Sequence, residues 1–322
     1  MTRRKALWTG LGLLAAGPAL GQAGNWPART IKLIVPYLPG TAPDVSARTL
    51  ADAMAPLLKQ TIIIENKPGA AGNLGAQMAA RAAPDGYTWV YAASPMASAM
   101  RMYRKPGFDV LKDFAMVGRI SVSDLVVIAP IDSGLRSLND LVERARKNPG
   151  KLSFASGGIG SPAHMGAELM LNAAGVSATH VPFKGASESL NAVMGKQVDF
   201  ALTVTSVSLS QWKAGKVAVL AITSPRRNPG LPQVPTLAEQ GLAGVDIVSY
   251  GGLAVPTGTP PAIVKRINET MREAMSRPEF KATLDAQAAT ASPSSPEEYA
   301  DIMRNEMVLT ERMMKAAQLE AQ

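Results

Sequence analysis

Ile34-Val35-Pro36-Tyr37-Leu38-Pro39-Gly40-Thr41-Ala42-Pro43-Asp44-Val45-Ser46-Ala47-Arg48 joins two kinds of secondary structure through a loop of small residues. The apolar run from Ile31 to Val35 reads as a buried strand, and residues 44–58, rich in Ala and Leu at helical spacing, read as a helix. Pro36, Pro39, Gly40 and Pro43 break the chain between them. A strand feeding a helix this way leaves unpaired backbone N–H groups at the helix start. Donors and helix dipole there both favour an anion. The loop carries no nucleophile–base pair, no metal-ligand cluster and no phosphate-loop lysine. It is suited to holding a ligand rather than reacting with one.

The same alternation continues along the chain. Strands are expected over residues 31–36, 61–65, 87–92, 125–129, 152–155, 179–182, 198–203, 217–222 and 247–254. Helices are expected over residues 44–58, 75–83, 137–147, 162–173, 186–194, 260–276 and 296–317. Ser295-Pro296-Glu297-Glu298 and Thr236-Leu237-Ala238-Glu239 are capping boxes. This order predicts an α/β protein of two domains, each an open, mostly parallel sheet flanked by helices. Crossings near residues 120–125 and 246–250 make residues 24–122 and 247–322 one discontinuous domain, with 123–246 inserted as the second. The last helix carries Tyr299, Ile302, Met303, Met307, Met313 and Met314 on or near one stripe. That stripe is expected to face the core, with the helix packing across to the second domain.

The chain has 322 residues and no cysteine, which excludes disulfides, thiol catalysis and thiolate metal sites. Arg3, Arg4 and Lys5 precede a Gly-broken apolar run from Ala6 to Leu20, and Gly21-Gln22-Ala23 offers a cleavage site. Residues 1–23 therefore read as an export signal, of Sec or twin-arginine type, and the mature protein is expected in the periplasm. Those residues hold three basic and no acidic side chains, so their removal takes the net charge from +8 to +5 (8 − 3). The remaining basic residues are mostly scattered. The cluster Arg101–Lys105 beside Tyr103 and Phe108 reads as a solvated face, with no nucleic-acid partner expected.

Catalytic readings are few. Ser161 and His164 stand three apart at a helix start, the one serine–histidine pair that a hydrolase reading rests on, and no G-x-S-x-G elbow is present. His164 and Glu168 stand at i and i+4, two ligands short of a zinc site, so no metal is expected. Gly69-Ala70-Ala71-Gly72 does not match G-x-G-x-x-G, and no cofactor is expected. What remains is a set of loops of one design: Gly40-Thr41-Ala42, residues 69–75, residues 156–161 and Lys184-Gly185-Ala186. Each follows a strand and precedes a helix. Facing one another across a cleft, they would hold a carboxylate by main-chain donors and small hydroxyls.

Taken in order, these stretches resemble one family. Pro36 to Asp44 with Ala47-Arg48, Glu65 to Gly75, Pro84 to Thr88, Gly158 to His164, His180 to Gly185, Val234-Pro235-Thr236 with Glu239-Gln240-Gly241, and Pro256 to Pro260 follow the pattern of the periplasmic solute receptors of tripartite tricarboxylate transporters, the Bug-type receptors. The resemblance spans nearly the whole mature chain. It implies a clamshell of the periplasmic-binding-protein type II kind that closes on a carboxylate held partly through water. Carried over by position, it places Tyr37, Pro39, Gly40, Thr41 and Asp44 on the first wall, Ser94 at the end of a first-domain strand, and Gly158, Ser161 and His164 opposite. Asp44 is also an acid at a helix start, which can cap rather than touch ligand.

Two departures bear on the ligand. Thr41 stands where the family commonly has a second glycine. After the strand ending near Leu202, Thr203-Val204-Thr205-Ser206 replaces an Asp-Asn pair, so Thr203 and Thr205 join the expected binding residues. The lost acid removes a partner for a ligand ammonium. The expected ligand is a mono- or dicarboxylic acid, aliphatic or aromatic, without a free amino group. The expected protein is a non-catalytic monomer delivering it to membrane transporter subunits. An exported sensor that signals to a membrane partner, and a hydrolase using Ser161 and His164, are the competing readings.

Overall fold

Strand β1 (Ile31–Val35) buries Ile31, Leu33, Ile34 and Val35 and exposes Lys32, the near-continuous apolar pattern of a strand covered on both faces. A computed structural model of the protein describes residues 26–228, 230–316 and 319–321; the expected export signal lies outside them. In it β1 pairs in parallel with β2 (Ile62–Asn66) and β3 (Thr88–Ala93). Beyond β3 comes β9 (Val248–Pro256), antiparallel, and then the 17-residue strand β4 (Phe114–Pro130), also antiparallel.

β4 belongs to both halves of the molecule. Up to Asp124 it pairs with β9 and with β10 (Ala289–Ala291), and from Leu125 onward with β7 (Phe200–Val204) and β8 (Val217–Ile222). β7 continues in parallel to β5 (Ser153–Ser156), which pairs in parallel with β6 (Thr179–Pro182). The result is the two-lobed clamshell of a periplasmic binding protein, with one correction to the expected sheets. β1–β3 and β5–β7 are parallel, but β4, β8, β9 and β10 are antiparallel, so each sheet is mixed. The chain must leave the first lobe and return, and its outgoing strand β4 and returning strand β9 lie side by side in opposite directions.

Two β-bulges, at Val117 and Ile120, bend β4 along β9. Both extra residues are fully buried, in the core that also takes in side chains of β1 and the helix α1 (Ala42–Leu58). Each remaining parallel strand feeds a helix: β2 leads to α2 (Asn73–Ala80), β3 to α3 (Ser94–Met102), β5 to α5 (Pro162–Ala173), β6 to α6 (Ala186–Met194) and β7 to α7 (Thr205–Lys213). α4 (Leu138–Lys147) starts on a Ser137–Asp140 capping box. α8 (Pro261–Ser276) and α9 (Pro278–Ala286) cover the first lobe beside α1. The two boxes expected from the sequence also form, around Thr236 with Glu239 and Ser295 with Glu298, although the first opens only a short 3₁₀ turn.

The last helix, α10 (Pro296–Ala316), ties the cores together. Tyr299 and Met303 pack with Val90, Phe108 and Phe114 of the first lobe, while Met313 and Met314 pack with Leu125, Phe154 and Leu202 of the second. Burying each of these side chains is worth about 2 kcal/mol.

Candidate functional site

The loop after β1 is held by a brace of polar side chains. Asp44, buried in the first turn of α1, accepts the Gly40 N–H (2.8 Å) and Arg48 Nε (3.0 Å) on Oδ2, and Asn66 Nδ2 (2.8 Å) on Oδ1. Asn66 also donates to the Tyr37 carbonyl (3.1 Å), and Arg48 Nη2 donates to Asn66 Oδ1 (3.0 Å). Burial alone would raise the Asp44 carboxyl. The hydrogen bonds from Arg48, Asn66 and Gly40 outweigh it and hold the group below the usual carboxylate range. Asp44 therefore spends both oxygens on the shape of the loop. Thr41 is similarly occupied, its hydroxyl donating to the Leu38 carbonyl (2.7 Å) and not capping α1. Pro39 and Gly40 stand on the exposed turn, Gly40 at φ +78°.

Asp44→Ala should cost about 2 kcal/mol, because it strands a backbone donor, an amide and a guanidinium at once. A thermal melt reads this as a loss of about 6 °C. A melting point within 1 °C of wild type would show that the brace is idle.

Other side chains at the strand ends have polar atoms with no partner. The Tyr37 hydroxyl is buried and unbonded, its ring edge-on to Tyr91 at 6.4 Å between centroids. Burial, and then Tyr91, push its phenol far above the usual value, so it is a neutral donor and acceptor. Ser94 Oγ, at the first residue of α3, is buried and unbonded, as is Asn73 Oδ1 at the start of α2. In the second lobe Thr203 Oγ1 and Ser206 Oγ, flanking the β7–α7 junction, are buried and unbonded. Thr205 differs: its hydroxyl donates to the Asp124 carbonyl (2.9 Å) in β4. Buried hydroxyls left unpaired cost free energy, and these stand at strand-to-helix junctions of both lobes.

The lobes meet beside these groups. Ser98 Oγ, one turn into α3 from Ser94, lies 3.5 Å from Met165 Sδ, one turn into α5 from Ser161. A methyl on Gly160 would lie 2.5 Å from Met102 Sδ at the other end of α3. The start of α5 therefore lies against the last turn of α3, and each helix begins at the carboxyl end of a parallel strand, where α/β sheets bind ligands.

Ser161 is the N-cap of α5, its Oγ accepting the His164 N–H (3.2 Å). The His164 ring is 2 % exposed and turned inward: Nδ1 accepts the Gly160 N–H (3.2 Å), and Nε2 lies 3.8 Å from Glu168 Oε1. The Ser161 hydroxyl therefore has no imidazole acceptor, and the dyad of the competing hydrolase reading is not assembled. Gly158 adopts φ +122°, and its N–H donates to Ser156 Oγ (3.2 Å). Sequence reasoning passed over Asn66, Asn73, Ser156, His180 and Ser206. Their signal was position alone, each lying within or beside a strand-to-helix loop. Among the described residues no group of three metal-capable side chains occurs. A surface depression of about 590 Å³, lined by Arg101, Glu311, Met314, Lys315, Leu319 and Glu320, contains none of the junction residues.

Residues 46–319 match the profile of the tripartite tricarboxylate transporter family receptor, TctC. The chain belongs to that receptor family. The periplasmic binding protein BugD superposes on this receptor with a TM-score of 0.84 at 31 % identity, over 92 % of this chain and 100 % of that one. Rpa4515 of R. palustris, solved with adipate, does so with a TM-score of 0.87 at 28 % identity, over 92 % and 100 %. MatC from Rhodopseudomonas palustris, solved with bound malate, gives 0.81 at 29 % identity, over 89 % and 99 %. These neighbours are solute-binding proteins, and family members such as BugD are periplasmic. Among the described residues no helix of the receptor is long and apolar enough to cross a membrane.

Proposed function

We propose that this receptor, exported to the periplasm, captures a small carboxylate between its lobes and delivers it to the membrane subunits of a tripartite tricarboxylate-type transporter. The jaws are residues 24–122 with 247–322, and residues 123–246. The observation that carries the reading is the set of buried, unbonded hydroxyls of Tyr37, Ser94, Thr203 and Ser206, contributed by both jaws at strand-to-helix junctions. Hydroxyls and helix-start N–H groups can hold a carboxylate without a cation. Adipate and malate, bound by Rpa4515 and MatC, support the same ligand class.

Thr203, Thr205 and Ser206 offer no charge for a ligand ammonium. The nearest acid on the crossing strand, Asp124, already accepts Asn228 Nδ2 (2.7 Å). A ligand without an amino group follows. Asp44, Thr41 and His164 serve as supports, while Tyr37, Ser94, Thr203, Gly158 and the N-terminus at Ser161 meet the ligand.

A thermal-shift series with mono- and dicarboxylates tests this. At a hundredfold excess over Kd a true ligand should stabilise by about 2.7 kcal/mol and raise the melting temperature by about 8 °C. Glutarate should act where glutamate does not. No shift across a broad panel, or a shift with glutamate alone, would overturn the reading.

A further inference from the structure

Four rings form a ladder through the second lobe. Phe200, Phe154 and His180 are register neighbours on β7, β5 and β6, and their rings stack: Phe154 lies 5.6 Å from Phe200 at 26°, and 4.8 Å from His180 at 22°. His164 of α5 completes the ladder, 3.9 Å from His180 with 14° between planes. Imidazoles drawn out of water are costly unless their nitrogens find partners, and here one nitrogen of each ring leads to the same loop. His164 Nδ1 accepts the Gly160 N–H. His180 Nε2 lies 2.7 Å from Ser156 Oγ, which in turn accepts the Gly158 N–H. Gly158 and Gly160 are the two positive-φ residues of the loop, the points where its path is least determined by local sterics.

We propose that His164 and His180 are positioning residues for ligand binding: a neutral, stacked imidazole pair that pins the loop of residues 157–161 so that the α5 N-terminus meets the ligand. The inference rests on the carboxylate reading above and deepens it. Both rings must be uncharged, since a proton on His164 Nδ1 would remove the acceptor that Gly160 uses. The surroundings enforce this. Burial, and then His180, push His164 down to about 3, and burial pushes His180 down to about 4. The titratable groups against His164 are His180 on β6 and Glu168 on α5, and burial raises the Glu168 carboxyl toward its neutral form.

The test is a pair of substitutions at one site. His164→Asn keeps an acceptor near the position of Nδ1, whereas His164→Phe keeps the flat ring and its stacking but removes the acceptor. Calorimetric titration with adipate, with malate as the second probe, should find His164→Phe weakened about ten-fold, the loss of one buried hydrogen bond. His164→Asn should stay within about three-fold of wild type, a rescue that a purely space-filling role for the ring would not produce. Amide exchange without ligand gives an independent readout. The Gly160 N–H should exchange faster by about ten-fold in His164→Phe and at the wild-type rate in His164→Asn. Equal adipate affinity in wild type and His164→Phe overturns this inference and leaves the receptor reading intact. Failure of wild type to bind either acid counts against the carboxylate reading instead, and the exchange rates then decide the pinning. Equal Gly160 exchange in all three proteins overturns it.

Discussion

Gly252→Ala should destabilise the receptor by about 3 kcal/mol or more and lower its melting temperature by about 10 °C. Gly252 lies in β9 between Ala92 of β3 and Arg119 of β4, at the centre of the strands that leave and re-enter the first lobe. A Cβ there would stand 2.4 Å from the Gly118 carbonyl oxygen and 2.5 Å from the Tyr299 ring. Neither obstacle can step aside. Gly118 lies between the two bulges of β4, and Tyr299 is fully buried with its hydroxyl donating to the Ala92 carbonyl (2.7 Å). Gly150→Ala is the control, because open space surrounds it and only its φ of +69° resists a methyl group. It should cost only the backbone term of about 1 kcal/mol. If the Gly252→Ala protein melts within 2 °C of wild type, β9 does not have the tight seat these distances describe.

Much of this architecture was legible in the sequence because its elements advertise themselves locally. Residues 31–36 and 217–222 are short apolar runs bounded by breakers, and helices α4 to α6 carry clear starts and amphipathic spacing. The missed elements lack those marks for physical reasons. α3 buries Ser94, Met96, Ala97, Ser98, Ala99 and Met102, so it shows no polar face to set a period. α7 opens on Thr205-Ser206-Val207-Ser208, residues with weak helix propensity, and forms because β7 delivers the chain there. The first half of β4 interleaves Arg119, Ser121 and Ser123 with apolar residues and is further scrambled by two bulges, which destroy the period of two.

The candidate site follows the same division. Tyr37, Ser94 and Ser161 stand at junctions that the alternation located, whereas the roles of Asp44, Thr41 and His164 depend on where single hydrogen bonds point. Asp44 turns to two donors one turn away and to a third, Asn66, on β2, and His164 faces inward by the choice of one rotamer, neither of which residue spacing determines. His180 could be placed beside His164 only through the register of β6 on β5, a long-range fact.

Glu306→Gln should abolish a pH dependence of stability that wild type shows between about pH 4.5 and 7. Glu306 sits midway along α10, 9 % exposed, where that helix passes from one lobe's core to the other's. It receives the Tyr250 hydroxyl on Oε2 (3.3 Å) and the Ser98 hydroxyl on Oε1 (3.3 Å). Among the described residues no cation pairs with it. Burial is the leading cause that pushes its carboxyl up from 4.5 to about 7, against the smaller opposing pull of the Tyr250 and Ser98 hydrogen bonds. The folded state therefore binds this proton more tightly than the unfolded chain does. The stabilisation is fully present below pH 4.5 and is lost as pH rises through 7, with a ceiling of roughly 3 kcal/mol for a shift of this size. A glutamine is neutral throughout and keeps acceptor capacity toward Tyr250 and Ser98. Its protein should match wild type near pH 4.5 and melt several degrees higher at pH 8. Because Ser98 also reaches Met165 across the lobes, the charge that appears on Glu306 at high pH loosens the joint itself. Melting curves of the two proteins that run parallel from pH 5 to 8 would show that Glu306 is charged, and solvated, at every pH in that range.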